Sequence, residues 1–98
     1  EDAMDEETKI ALARLVALAS EDTSGSRVAA NFLLAWWNAA ELGGFDPTEM
    51  WLLDDLAVRD LLQIASFIGR NNVYPDALIG REAVQGLIAC WRGRVVGD

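Results

Sequence analysis

Carboxylates supply most of what could do chemistry in this chain. Asp54 and Asp55 are adjacent, and Asp46 lies eight residues upstream. Such oxygens suit a hard cation, but the loop spacing that wraps an ion in carboxylates and carbonyls is missing. Adjacent aspartates ahead of an apolar periodic run read instead as helix N-caps. The chain has no histidine, so the side chain most used as general base and as metal ligand near neutral pH is absent. The lone cysteine, Cys90, rules out a thiolate zinc site. It sits in an apolar helical pattern and reads as a small buried hydrophobe in a reducing compartment. Tyr74, Pro75 and Asp76 form a turn whose aromatic either anchors a ligand or folds back on the core. The closing RGRVVG, residues 92 to 97, has glycines and bases but no strand before it, so it is not a phosphate loop. It reads as a frayed basic terminus. No catalytic residue, metal site or cofactor is expected, and the chain does not read as an enzyme.

The side chains that remain are those of a greasy, acidic domain. Ninety-eight residues, 52% of them apolar and 24% charged, suit one domain, residues 1–98, with a single core. No apolar run approaches the roughly 18 residues that cross a bilayer. The opening EDAMDEETK has no basic stretch followed by an apolar one, so a secretory signal is not expected and the cytoplasm is. Met4 reads as the natural start. The net charge of −8 is uneven: residues 1–55 hold 12 acids and 3 bases, residues 56–98 hold 4 acids and 5 bases. Phosphate backbones are therefore poor partners. An acidic face suits a basic protein surface, or imitates nucleic acid to a protein that binds it. The plainer use of the acids is capping and solvation.

The elements that must position these groups are helices, because nothing alternates with period two for long enough to make a strand. Asp5, Glu6 and Glu7 ahead of Ile10, Leu12, Leu15, Val16 and Ala19 predict an amphipathic helix over about residues 5–20. SEDTSGS stops it, and Ser24 or Ser26 can cap a second helix running to Gly43 and Gly44. On a helical wheel only Arg27, Asn31, Asn38 and Glu41 define a polar arc, so this helix should be central. Trp36 falls in the apolar arc as core, and Trp37 at its edge beside Ala30 and Leu33. Leu34 lies inside the polar arc, three residues from Trp37, so the two should form an apolar surface patch. Leu34, Trp37 and Glu41 are the candidate partner-binding residues, either for another protein or for self-association.

FDPTE, residues 45–49, is the most specific local signal. Asp46 suits an N-cap, Pro47 the first helical position and Glu49 the reciprocal place in a capping box, with Phe45 stapling onto Met50 or Trp51. A short helix near 47–53 should precede a long one from about 55 to 70, carrying Leu56, Leu61, Ile64, Ala65, Phe67 and Ile68, with Asp54 as its cap. RNNVYPD interrupts the chain, since the residue before Pro75 is pushed out of the helical region. A last helix over about 81–92 uses Val84, Leu87, Ile88 and Trp91. Ser66, Gly69 and Gly86 should let helices approach closely. The reading is an all-α protein: a compact bundle of four main helices plus a short extra helical turn, with the second helix central.

From FLLAWWNAAELGGFDPTEMW through Asp54, IGRNNVYPDALIG and the closing ACWR, the pattern resembles small acidic bacterial proteins of a domain-of-unknown-function family. That family is encoded on plasmids, phages and integrated elements, especially in pseudomonads and xanthomonads. The resemblance spans about residues 28–92. Its marks here are the aromatic helix ending in Gly-Gly-Phe-Asp, Trp51, the Tyr-Pro-Asp turn and the final Trp-Arg. Ile79 separates a Leu-Gly pair that is contiguous in the family. The resemblance implies a mobile-element setting and transfers no catalytic residue. Two function classes follow. One is a protein-interaction module, accessory or inhibitory to a mobile element, whose narrower form is an anti-defence protein occupying a basic nucleic-acid-binding groove. The other is a small-ligand binder using carboxylates and Arg59 or Arg70 beside a tryptophan-lined pocket.

Overall fold

The computed structural model describes residues 4–93, and the first helix starts where the acids predict. Asp5 accepts the Thr8 amide at 2.9 Å, and Glu6 and Glu7 fill the first turn of α1 (Glu6–Ala19), where the helix dipole favours negative charge. Thr8, Ala11, Leu12, Leu15 and Ala19 form its buried face. Ile10, expected in that stripe, is exposed. It follows Thr8 by two residues, about 200° around the helix, and so falls on the far side.

Helix α2 (Ser24–Leu42) is capped by Thr23 instead of Ser24 or Ser26. Thr23 Oγ1 accepts the Ser26 amide at 2.9 Å and shares a 2.8 Å hydrogen bond with the Ser26 hydroxyl. From Val28 to Leu34 every side chain but Asn31 is buried, which a helix flanked on several sides requires. The helical backbone breaks at Asn38 (φ −166°, ψ 82°), and the Asn38 side chain accepts the Glu41 amide at 3.2 Å, capping the final turn. Gly43 closes it at φ 101° while donating to the Ala39 carbonyl at 2.9 Å, a backbone conformation open to glycine at little cost.

The FDPTE signal makes a 3₁₀ turn (Pro47–Leu52), tighter than an α-helix. Asp46 caps it by accepting the Thr48 amide at 3.0 Å and the Thr48 hydroxyl at 2.8 Å. Glu49 does not complete the capping box. It reaches α2, accepting Arg27 Nη1 at 2.9 Å and Asn31 Nδ2 at 3.2 Å. Phe45 meets the Phe32 ring edge to face, centroids 5.4 Å apart.

Asp54 caps α3 (Asp55–Arg70) through the Ala57 amide at 2.9 Å. Ala57, Asp60, Leu61, Ile64 and Phe67 are its buried side chains, whereas Leu56 and Ala65, expected inside, are exposed. The helix packs on α1 through apolar contacts and two polar ties. Arg14 donates to both carboxylate oxygens of Asp60 at 2.9 Å, and Gln63 donates to the Thr8 hydroxyl at 2.9 Å. Asp60 is only 4% exposed, a burial that a bidentate arginine makes tolerable. The same hydrogen bond holds the Arg14 guanidinium above its ordinary pKa.

A second small element, not anticipated from the sequence, follows the 71–75 turn. The four-residue α4 (Asp76–Ile79) ends at Gly80, whose φ of 93° swings the chain into α5 (Arg81–Arg92). Val84, Leu87 and Ile88 of α5 are buried. The final Trp-Arg pair ties two helix ends: the Trp91 indole donates to the Ala19 carbonyl at 2.7 Å, and Arg92 Nε to the Leu42 carbonyl at 2.8 Å. Carbonyls at helix C-termini lack intrahelical donors, so both bonds fill real vacancies. α1 lies between α2 and α3, and α2 also packs on α5 and the 3₁₀ turn. The all-α bundle of four main helices holds, with α2 central in company with α1.

Candidate functional site

The break in α2 and the 71–76 turn together form an open cleft. Trp36, Trp37, Asn38, Tyr74 and Asp76 line it, with Ala35 and Ala39, around about 620 Å³. Two interactions set its shape. The Trp36 indole nitrogen donates to the Val73 carbonyl at 2.9 Å, pinning the turn to α2. The Trp37 and Tyr74 rings meet edge to face, 6.2 Å apart at 81°, as the quadrupoles of two rings prefer. Trp36 is therefore not the buried core residue that its wheel position predicts. Both tryptophans are half-buried: they pack against the core on one side and line the cleft on the other. Tyr74 does not fold back on the core and is 61% exposed. Behind Trp36 and Tyr74 a second groove of about 410 Å³ includes Arg70, Asn72 and Ile68. Arg59 lies elsewhere, in an α1–α3 groove with Ile10, Leu56 and the Arg14–Asp60 pair.

Of the three candidate partner-binding residues, the structure leaves two at the surface. Trp37 lines the cleft and Glu41 is exposed on the last turn of α2. Leu34 is 0% exposed, so the apolar surface patch of Leu34 with Trp37 does not exist in the folded monomer. The reason lies in the polar arc around Leu34, which is not a solvent face. Its Asn31 donates to Glu49 of the 3₁₀ turn and accepts from Arg92 Nη2 of α5 at 2.8 Å. Those elements roof the arc, and Leu34 is enclosed beneath them.

The most exposed large hydrophobic side chain among the described residues was missed. Trp51 is 85% exposed, with Leu52 beside it at 49%. A period of three residues explains this: in a 3₁₀ turn Met50 and Leu53 share one face. Those two are half-buried, and Trp51 is left outside. Reading PTEMWL as 3₁₀ would have revealed it. Cys90 is also exposed, contrary to its expected burial. On α5 the inward arc spans Val84, Leu87, Ile88 and Trp91, and Cys90 lies about 60° beyond its edge. Ser66, Gly69 and Gly86 face solvent, and a Cβ on either glycine would meet nothing within 4 Å, so no helix approaches closely there. Among the described residues no three acids or cysteines gather as a metal-holding group, and no helix is long and apolar enough to cross a membrane. The basic tail beyond Gly93 lies outside the described residues.

Comparison with known proteins places the chain in a family without assigning it a task. It belongs to the family of unknown function DUF7673, whose model matches residues 9–92. That span includes α1 from Lys9 onward, which the sequence resemblance had not covered. No curated protein and no solved structure matches the chain.

Proposed function

We propose that this member of DUF7673 is a protein-interaction module, an accessory or inhibitory protein of a bacterial mobile element, that meets its partner through the face carrying Trp51. The observation that carries the reading is the 85% exposure of Trp51 beside an exposed Leu52. A tryptophan left in water forgoes a large burial free energy, and tryptophan is the residue most enriched at interface hot spots. The charge of the chain gives the partner a sign. With 16 acids against 8 bases, the module suits a basic protein surface, and its association should be fast and salt-sensitive. Occupying a basic nucleic-acid-binding groove, as an anti-defence protein would, is the narrower form of the same reading.

Affinity capture from a bacterial host of the element, run in parallel with wild type and Trp51→Ser, tests the proposal. A partner retained by wild type and lost by the variant is the expected result, with equal melting temperatures for the two proteins. Capture unaffected by the substitution would remove Trp51 from the interface. Competing duplex DNA that releases the partner would select the groove-occupying form.

A further inference from the structure

The cleft at the end of α2 is separate from the Trp51 face, and its chemistry points to a ligand class of its own. We propose that it binds an organic cation, an alkylammonium or guanidinium group, on the faces of Trp36, Trp37 and Tyr74 with the Asp76 carboxylate as counter-charge.

The walls are aromatic and nearly perpendicular where Trp37 meets Tyr74, at 81°. Ring faces carry the negative side of the quadrupole, and a cation within about 6 Å of a centroid is attracted to them, tryptophan most strongly. Trp36 has spent its one donor on the Val73 carbonyl, so what it offers a ligand is its π-face and not a hydrogen bond. Among the described residues the only charged side chain lining the cleft is Asp76, and its carboxylate has no hydrogen-bond or ion-pair partner among them. Arg70 lines the adjoining groove instead, where its Nε donates to the Ser66 carbonyl.

Alternative ligands fit less well. An anion would face Asp76 in a chain of net charge −8. A neutral apolar ligand needs enclosure to gain from burial, and this cleft is open, with Asn38 and Asp76 in its lining. A cation with an apolar shell gains from both the aromatic faces and the carboxylate. Asn38, where the helical backbone of α2 breaks, lines the cleft beside Trp37.

Titration of ¹⁵N-labelled protein with choline, followed through the four tryptophan indole signals, tests the site. Trp36 and Trp37 should shift and saturate in the millimolar range, while Trp51 and Trp91 stay fixed as internal controls. The uncharged isostere 3,3-dimethylbutan-1-ol should bind at least about fivefold more weakly, since it lacks the cation–π attraction. Asp76→Asn, close to isosteric, should weaken choline by about five- to tenfold, and Tyr74→Phe should retain it. Equal affinity for the alcohol, an unchanged Asp76→Asn variant, or no saturable shift at Trp36 and Trp37 would each overturn the proposal. A tripeptide amide with a central arginine, compared with its citrulline counterpart, separates the sources. Tighter binding of the arginine peptide than of choline identifies a protein side chain as the ligand, and the reverse identifies a free small cation. Trp51→Ser should leave every one of these titrations unchanged, so this test and that of the Trp51 face fail independently.

Discussion

Three apolar residues carry the consequences of this fold at the residue scale. Leu34 is sealed under the 3₁₀ turn and α5, so Leu34→Glu should bury a charge with no partner. The expected cost is at least about 3 kcal/mol, enough to unfold a small domain, and circular dichroism of the purified variant checks it. Trp36 is only half-buried but also holds the 71–75 turn. Trp36→Ala should cost about 2–3 kcal/mol, below the full-core range, as part of its area plus one hydrogen bond is lost. Urea unfolding measures this directly. Trp51 should behave oppositely in every respect: Trp51→Phe should leave the unfolding midpoint in place and remove most of the fluorescence that iodide quenches. A midpoint lowered by that change would mean that the ring is covered in solution.

At the scale of elements, caps and cross-ties do more than intrinsic helix propensity. Asp54 satisfies one orphan amide of α3, and Asp54→Ala should destabilise by about 1 kcal/mol in thermal or chemical unfolding. The Asp46 cap has a pH signature. The Thr48 amide, then the Thr48 hydroxyl, hold the Asp46 carboxyl below its ordinary value of 3.8. A depressed folded pKa means that the stabilisation is fully present above 3.8 and is lost as pH falls through the lower folded value. Asp46→Asn keeps a cap acceptor without the charge, so its melting temperature should fall less steeply than that of wild type on acidification below 3.8. At the other end, Trp91 and Arg92 hold the last carbonyls of α1 and α2. This gives Trp91 and Arg92 a structural role in closing the bundle.

For the whole molecule the governing quantity is charge. A net −8 repels phosphate at every approach distance that salt does not screen. No mobility shift of duplex DNA is expected at physiological ionic strength, and a micromolar, salt-sensitive complex would contradict the acidic-module reading. Association with a basic protein should instead weaken as salt rises, chiefly through a slower on-rate.

Much of this architecture was legible in the residue order because its causes are local. Asp5, Asp46 and Asp54 cap the helices that follow them within three residues, Gly43 and Pro75 end or interrupt segments by backbone geometry alone, and apolar spacing marks the inward arcs of α1, α3 and α5. Helix boundaries and the all-α class follow from such short-range chemistry. What lay beyond it depended on which element covers which face. Leu34 sits in a polar arc by sequence yet is buried, because Asn31 of that arc is bonded to Glu49 and Arg92, 18 and 61 residues away. Glu49 fits a local capping box but finds an arginine on α2. Trp36 and Trp37 become a cleft with Tyr74 and Asp76 only because the chain returns past the broken end of α2. A helical wheel shows the directions of side chains along one axis and nothing of what packs against it, so exposure and the candidate sites were decided by tertiary contacts alone.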